Sequence, residues 1–216
     1  MKKAVILLSG GLDSATTLYL AKKLGFELTA LIFDYHQRHK KEIEAANKLT
    51  ALNKISQRII KISLGWTHSS LTDKKRYLPL YRNLTTHKIP STYVAARNIV
   101  FLSYAFSLAE SIGAKSIFIG AHIQDYSGYP DCRPEFLKAF EKAANIGMKR
   151  GDIKIAAPLI NKSKAGIIKL GLKLGVPFEH TWSCYQGLRY PCQKCDSCRF
   201  RIKAFKELGL SDPLLR

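Results

Sequence analysis

No stretch of this 216-residue chain approaches the roughly 18 consecutive apolar residues needed to span a bilayer, so an integral membrane helix is not expected. Two familiar nucleotide-binding strings are also missing. No Gly-Lys-Ser/Thr closes a glycine-rich turn, which argues against a Walker A loop, and no Gly-x-Gly-x-x-Gly occurs, which argues against a dinucleotide fold. Acid is scarce: 16 Asp and Glu face 35 Lys and Arg, a net charge of +19. That balance favours polyanionic partners such as nucleotides, RNA or an acidic protein, although a merely lysine-rich surface gives the same totals. The basic residues are spread rather than blocked, so ATP suffices as the anion and direct tRNA binding is not expected. There is no internal repeat and no low-complexity tract. Hydrophobic residues make up 46% of the chain, enough for a real core, which excludes wholesale disorder.

What is present reads as alternating strands and helices. Met1-Lys2-Lys3 and the run Ala4 to Leu8 faintly resemble a signal peptide, but Ser9-Gly10-Gly11 cuts the run short. It reads instead as a first strand, Val5 to Leu8, and a cytoplasmic location is expected. A helix over Ser14 to Leu24, a strand over Leu28 to Phe33, a charged helix from about His39 to Leu52 and a strand over Ile59 to Ile62 follow. This order predicts a parallel sheet with helices on both faces. Gly65 to Thr92 is polar, broken by Pro79 and Pro90, and reads as a long functional loop or lid. Ala95 to Ile112 has helical period, with Ile99, Leu102, Ala105, Phe106 and Ala109 on one face. A strand over Ser116 to Gly120, a helix over Glu135 to Met148 and a helix from Ser163, its N-cap, to Leu174 complete the pattern. In such sheets ligands sit beyond the strand C-termini, so the loops opening at Ser9, Asp34 and Ala121 are expected to share one cleft.

Ser9-Gly10-Gly11-Leu12-Asp13-Ser14 joins a buried strand to a helix. Two glycines let the backbone approach a ligand, the helix start offers unpaired N–H groups, and two serines add hydroxyl donors. Together they form an anion cradle suited to a pyrophosphate. Asp13 fits such a cradle through a Mg²⁺ that bridges it to phosphate. The plainer reading is an ordinary glycine-rich turn.

Four of the five cysteines, Cys184, Cys192, Cys195 and Cys198, crowd into fifteen residues as C-x(7)-C-x(2)-C-x(2)-C. Without a secretory signal that pattern means metal rather than disulfides. Tetrahedral zinc suits four thiolates, and Arg189, Lys194 and Arg199 ease thiolate formation. An iron–sulfur cluster or free thiols are the alternatives. Cys132 reads as a bystander thiol.

Asp125 to Phe136 places three acids, Arg133 and two tyrosines beyond a strand end. The acids Asp125 and Asp131 suit the N–H edge of a guanine-like base, Tyr129 a stacked ring, and Arg133 a carboxylate. A tight surface turn is the plainer reading.

The phosphate-loop string resembles the ATP pyrophosphatase family. With the central motif and the cysteines, the chain resembles, almost end to end, the 7-cyano-7-deazaguanine synthases of queuosine and archaeosine biosynthesis. The matching residues are Ser9 to Ser14, Asp34-Tyr35 with Gln37-Arg38-His39, Arg97-Asn98, Asp125 to Phe136, Pro158-Leu159 with Ser163-Lys164, and Thr181 to Tyr185 through Cys198. Departures stand at Ala95-Ala96, at Gly166, where the family often has Glu, and at Gln193, where it commonly has Gly; none removes a cysteine or a loop residue.

The resemblance implies an adenine nucleotide alpha hydrolase-like domain over residues 1–180 and a zinc segment packed on it over 181–216. It implies ATP with Mg²⁺ as co-substrate, one structural Zn²⁺ and a homodimer. The ATP stretch is taken as Leu8, Ser9, Gly10, Gly11, Leu12, Asp13, Ser14, Ala15, Thr16, Thr17 and Leu18. Lys164, Arg97 and Asp13 are assigned to catalysis, Asp125, Tyr129, Asp131 and Arg133 to the substrate, and the four cysteines to metal. His36, His39 and His122 are candidates for moving protons. The implied reaction adenylates 7-carboxy-7-deazaguanine, displaces AMP with free ammonia, then activates the amide a second time to form the nitrile. A tRNA-thiolating enzyme with the same loop and a non-enzymatic zinc module are the rival classes.

Overall fold

The computed structural model describes residues 2–81, 89–122 and 128–215. Five parallel strands form one sheet: β1 (Lys2–Leu7), β2 (Phe26–Asp34), β3 (Ser56–Lys61), β4 (Ser116–Phe118) and β5 (Lys154–Ala156), in the order β3-β2-β1-β4-β5. Among the described residues six α-helices connect or follow them: α1 (Leu12–Lys23), α2 (Lys41–Asn53), α3 (Arg97–Ile112), α4 (Pro134–Ile146), α5 (Lys164–Leu174) and α6 (Asp196–Glu207).

Alternation along β1 explains the layering. Ala4 and Ile6 point to one side and pack with Leu18 of α1, Leu49 of α2, Ile168 of α5 and Phe205 of α6. Val5 and Leu7 point to the other side and pack with Leu102 and Phe106 of α3 and Leu137 of α4. A strand covered on both faces must be apolar at every position, and that is why the opening run reads as continuous. Phe205 and Ala204 of α6 belong to the same core as α1, so the C-terminal segment is tied to the sheet by apolar contact as well as by its cysteines.

The buried face of α3 differs from expectation, and the start of α5 agrees with it. On α3 the inward position is taken by Asn98 while Ile99 is 39% exposed, because the carboxylate of Asp131 accepts from the Asn98 amide at 2.8 Å and fixes the helix start. The N-cap of α5 is Ser163, whose hydroxyl accepts from the Gly166 amide at 3.1 Å. Of the expected lid, residues 65–81 run with little regular structure apart from a 3₁₀ turn at Gly65–Thr67. Arg38 holds this segment by donating to the carbonyls of Ser70, Asp73, Lys74 and Arg76. No helix among the described residues is long and apolar enough to cross a membrane.

Candidate active site

The loops after β1, β2 and β4 share one cavity of about 320 Å³ at the C-terminal end of the sheet. Its wall includes Ser9, Gly11, Asp13 and Ser14 from the first loop, Tyr35, Arg38 and His39 from the second, and Gly120, Ala121 and His122 from the third. Arg97, Tyr129, Lys164 and Trp182 close it from other elements.

The first loop is tightly built. Gly10 has φ +82°, and a Cβ there would lie 2.1 Å from the carbonyl oxygen of Glu42 and 2.7 Å from the Ala46 nitrogen. Only glycine fits, because α2 packs directly against the turn. The Gly10 carbonyl accepts from the Trp182 amide at 2.9 Å, which ties the cysteine-bearing segment to the loop. Ser9 Oγ and Ser14 Oγ lie 3.1 Å apart, and Ser14 Oγ donates to the Gly11 carbonyl. No side chain caps α1, so its first-turn amides keep their donors available to an anion. Ala15, Thr16, Thr17 and Leu18 face the interior, each 0% exposed, and do not line the cavity. Leu12 is likewise buried.

Asp13 and Lys164, 151 residues apart, meet in the cavity. Lys164 Nζ lies 2.9 and 2.8 Å from the two Asp13 carboxylate oxygens and 2.9 Å from His122 Nε2. His122 Nε2 also lies 3.6 Å from Asp13 Oδ2, so the three side chains form one polar cluster. Burial works against charge on Asp13, but the neighbouring Lys164 and His122 outweigh it and hold the carboxyl well below the usual carboxylate range.

Arg97 opens α3 after Ala96, which adopts the left-handed conformation at φ 57°. A non-glycine residue held there carries about 1–2 kcal/mol of strain, and the turn aims Arg97 into the cavity. Its Nη1 donates to the Tyr35 hydroxyl at 3.1 Å, and the guanidinium lies over the Tyr35 ring. Burial disfavours the cation, yet the surrounding Tyr35, Tyr129, Asp131 and Cys132 keep Arg97 firmly protonated.

Glu42, on the first turn of α2, also lines the cavity and is half-buried. Burial pushes its pKa up to about 7, against relief from Arg97.

Beside the cavity, the ligand atoms of Cys184, Cys192, Cys195 and Cys198 all lie within 4.8 Å of one another. A tetrahedral ion with metal–sulfur bonds of about 2.3 Å needs sulfurs about 3.8 Å apart, so these four residues can hold a metal ion. Backbone amides of Gln186 and Cys192 point at the Cys184 sulfur, and those of Lys194 and Cys195 at the Cys192 sulfur. Hydrogen bonds from Cys195 and Cys198 favour the thiolate at Cys184, and donating to it pushes those two thiols up. Leu80 forms a β-bridge to Cys195, so the cluster also anchors the long loop.

The family model described as "Queuosine biosynthesis protein QueC" matches residues 3–209. The chain belongs to the QueC family. Its relatives include the 7-cyano-7-deazaguanine synthase of Clostridium kluyveri, 50% identical over 221 residues, covering 99% of this chain and 97% of that protein. The synthase of the same name from Thermoplasma volcanium is 48% identical over 217 residues, covering 99% of this chain and 90% of that one. The fold is also that of the NMN synthetase from Francisella tularensis, with TM-score 0.56 and 20% identity over 96% of this chain and 77% of that one.

In this QueC-family chain the structure brings together most of the residues singled out by sequence: the Ser9 to Ser14 turn, Arg97, Tyr129, Lys164, His39 and His122. Asp131 and Arg133 are not among the described residues lining the cavity. Asp131 is buried at the start of α3, and Arg133 stands exposed at the start of α4. His36 is exposed outside the cavity. The assignment of Asp125 lies outside the described residues. Glu42 was missed by sequence reasoning. Its position three residues after His39 carries no local mark that separates it from the exposed Glu44 two residues on.

Proposed function

We propose that this chain converts 7-carboxy-7-deazaguanine and ammonia to 7-cyano-7-deazaguanine at the expense of ATP, as a step in the biosynthesis of the 7-deazapurines of tRNA. The observation that carries the reading is the cavity in which an uncapped, glycine-built anion cradle faces the cations Lys164 and Arg97. Membership of a family whose relatives bear the synthase name supports it.

A carboxylate oxygen is a poor leaving group. Attack of the acid on the α-phosphorus of ATP converts it into an acyl adenylate and releases pyrophosphate. The amides of Gly10, Gly11 and Leu12, with Ser9 and Ser14, hold the phosphates, and Mg²⁺ accompanies the nucleotide. Lys164 and Arg97 neutralise charge as it develops at the α-phosphate, the role for which fixed cations in a dry cavity are most effective. Asp13 serves as the counter-charge that keeps Lys164 in place; any contact between Asp13 and Mg²⁺ requires Lys164 to turn towards phosphate first. Ammonia displaces AMP to give the amide, and a second adenylation of the amide oxygen leads to the nitrile. Tyr129 remains our candidate for stacking on the base, and Asp125, Asp131 and Arg133 for contacts with the substrate.

For the four cysteines we propose zinc, which supplies a structural cross-link when bound. The ligand set is all thiolate and leaves no open position, and the Trp182 amide transmits the restraint to Gly10. The reading carries with it a homodimer and a free base as product rather than a bound tRNA.

The test is isotope exchange between pyrophosphate and ATP in the presence of the acid and absence of ammonia. Exchange that depends on the acid supports adenylation. Release of ADP and phosphate with no exchange would reject it.

A further inference from the structure

Among the described residues three acids line the cavity: Asp13, Glu42 and Asp196. Asp13 is saturated by Lys164, and Asp196 is buried in the first turn of α6. Glu42 differs from both. Among the described residues its carboxylate has no hydrogen bond and no ion pair, and it remains half-buried against the wall that also carries Tyr35 and Arg97. The charges that reach it are the Arg97 guanidinium from α3 and the Cys184 sulfur from the cysteine segment.

A half-buried carboxylate without a partner is costly unless a ligand supplies the missing charge or donors. The α2 turn that bears it is wedged against Gly10, so Glu42 stands beside the phosphate cradle where an acyl adenylate would form. The reaction proposed above brings two anions, nucleotide and acid, and one small cation, ammonium. The anions have Lys164, Arg97 and the loop amides. Of the three acids on the described wall, Glu42 combines partial exposure with a carboxylate not engaged in a hydrogen bond or ion pair, which makes it the best placed for the cation.

We propose that Glu42 is the ammonium-binding residue of this site and converts ammonium to ammonia for attack on the adenylated acid. The inference rests on the adenylation reading. One proton passes from ammonium to the Glu42 carboxylate. The nitrogen lone pair then forms the C–N bond to the acyl carbon, and the C–O bond to the adenylate breaks with its electron pair. AMP leaves and carries the second proton on its phosphate, and Glu42 returns its proton to solvent. Burial raises the basicity of Glu42, and a stronger base takes a proton from ammonium more readily than an ordinary glutamate does.

The experiment compares wild type with Glu42→Gln and Glu42→Asp in two assays: acid-dependent ATP–pyrophosphate exchange without ammonia, and nitrile formation against ammonium chloride concentration. Glu42→Gln should lower ammonium-dependent turnover at least tenfold more than it lowers exchange, with a raised KM for ammonium. Glu42→Asp should restore part of the loss. An unchanged KM for ammonium overturns the proposal, as does a loss confined to the KM of the acid, which would make Glu42 a reader of the base. Absence of exchange in the wild type itself would instead overturn the adenylation reading beneath it.

Discussion

Replacing Lys164 by Met tests the centre of the site most sharply. The ammonium donates to both Asp13 oxygens and lies 2.9 Å from His122 Nε2, and the side chains of Lys164 and Asp13 are 15% and 26% exposed. Breaking a fully buried pair costs about 3–5 kcal/mol and a surface pair about 0–1. A pair open to this extent falls between them, so Lys164→Met should destabilise the fold by roughly 2 kcal/mol, chiefly by stranding the Asp13 carboxylate. Asp13→Asn should cost less, because Lys164 keeps a partner in His122. The double variant should be more stable than the sum of the singles by about 1 kcal/mol or more, since neither charge is left alone. Activity should behave differently. Removing a cation from the developing charge costs about 10²–10³ in rate, and the double variant should recover none of it. Urea unfolding midpoints and ATP–pyrophosphate exchange measure the two effects separately. Strict additivity of stability would contradict the ion-pair geometry, and exchange within threefold of wild type in Lys164→Met would reduce Lys164 to a structural role.

Gly10→Ala should lose ATP binding and several kcal/mol of stability, because its methyl meets the backbone of α2, whereas Gly11→Ala, whose nearest neighbour is Ser9 Oγ at 3.3 Å, should fold normally; thermal melts with and without ATP decide this. Removing the metal with a chelator should speed hydrogen exchange around residues 80–81 and 182–198 and weaken ATP binding, since both segments are tied to the cluster; unchanged exchange there would refute the cross-link. The stability of Glu42→Gln should depend on pH. The Glu42 carboxyl has a folded pKa of about 7, above its ordinary value of 4.5, so its contribution is full below pH 4.5 and is lost as pH rises through 7. The glutamine variant cannot ionise, so above pH 7 it should exceed wild type by up to roughly 3 kcal/mol, and the two should converge near pH 4.5; equal melting curves at pH 8 would contradict the burial of that charge.

The sheet was legible where its strands are covered on both sides. Ala4 to Leu8 is apolar at every position and Leu28 to Phe33 at all but Thr29, so both read as buried strands. Strand β5 was not, because Lys154-Ile155-Ala156 is three residues long and carries one large apolar side chain. Helix α6 was hidden by its charge: Arg201 looks like a surface residue, yet it is 3% exposed and donates to Asp212, Thr181 and the Phe178 carbonyl. The phosphate turn and the cysteines were legible because their chemistry is local in sequence. The Asp13–Lys164 contact was not, since nothing in either neighbourhood announces a partner 151 residues away. Asp131 has a structural use that its composition did not show. Its composition suggested a ligand contact, but a buried carboxylate beside a helix start is also what an unpaired amide requires, and Asn98 supplies that amide.

The most direct measurement is the mass of the product formed from ATP, 7-carboxy-7-deazaguanine and ¹⁵N-labelled ammonium. The account predicts the nitrile with a single ¹⁵N, accompanied by AMP and pyrophosphate. Recovery of unmodified acid under conditions where the metal-loaded protein binds ATP would contradict it.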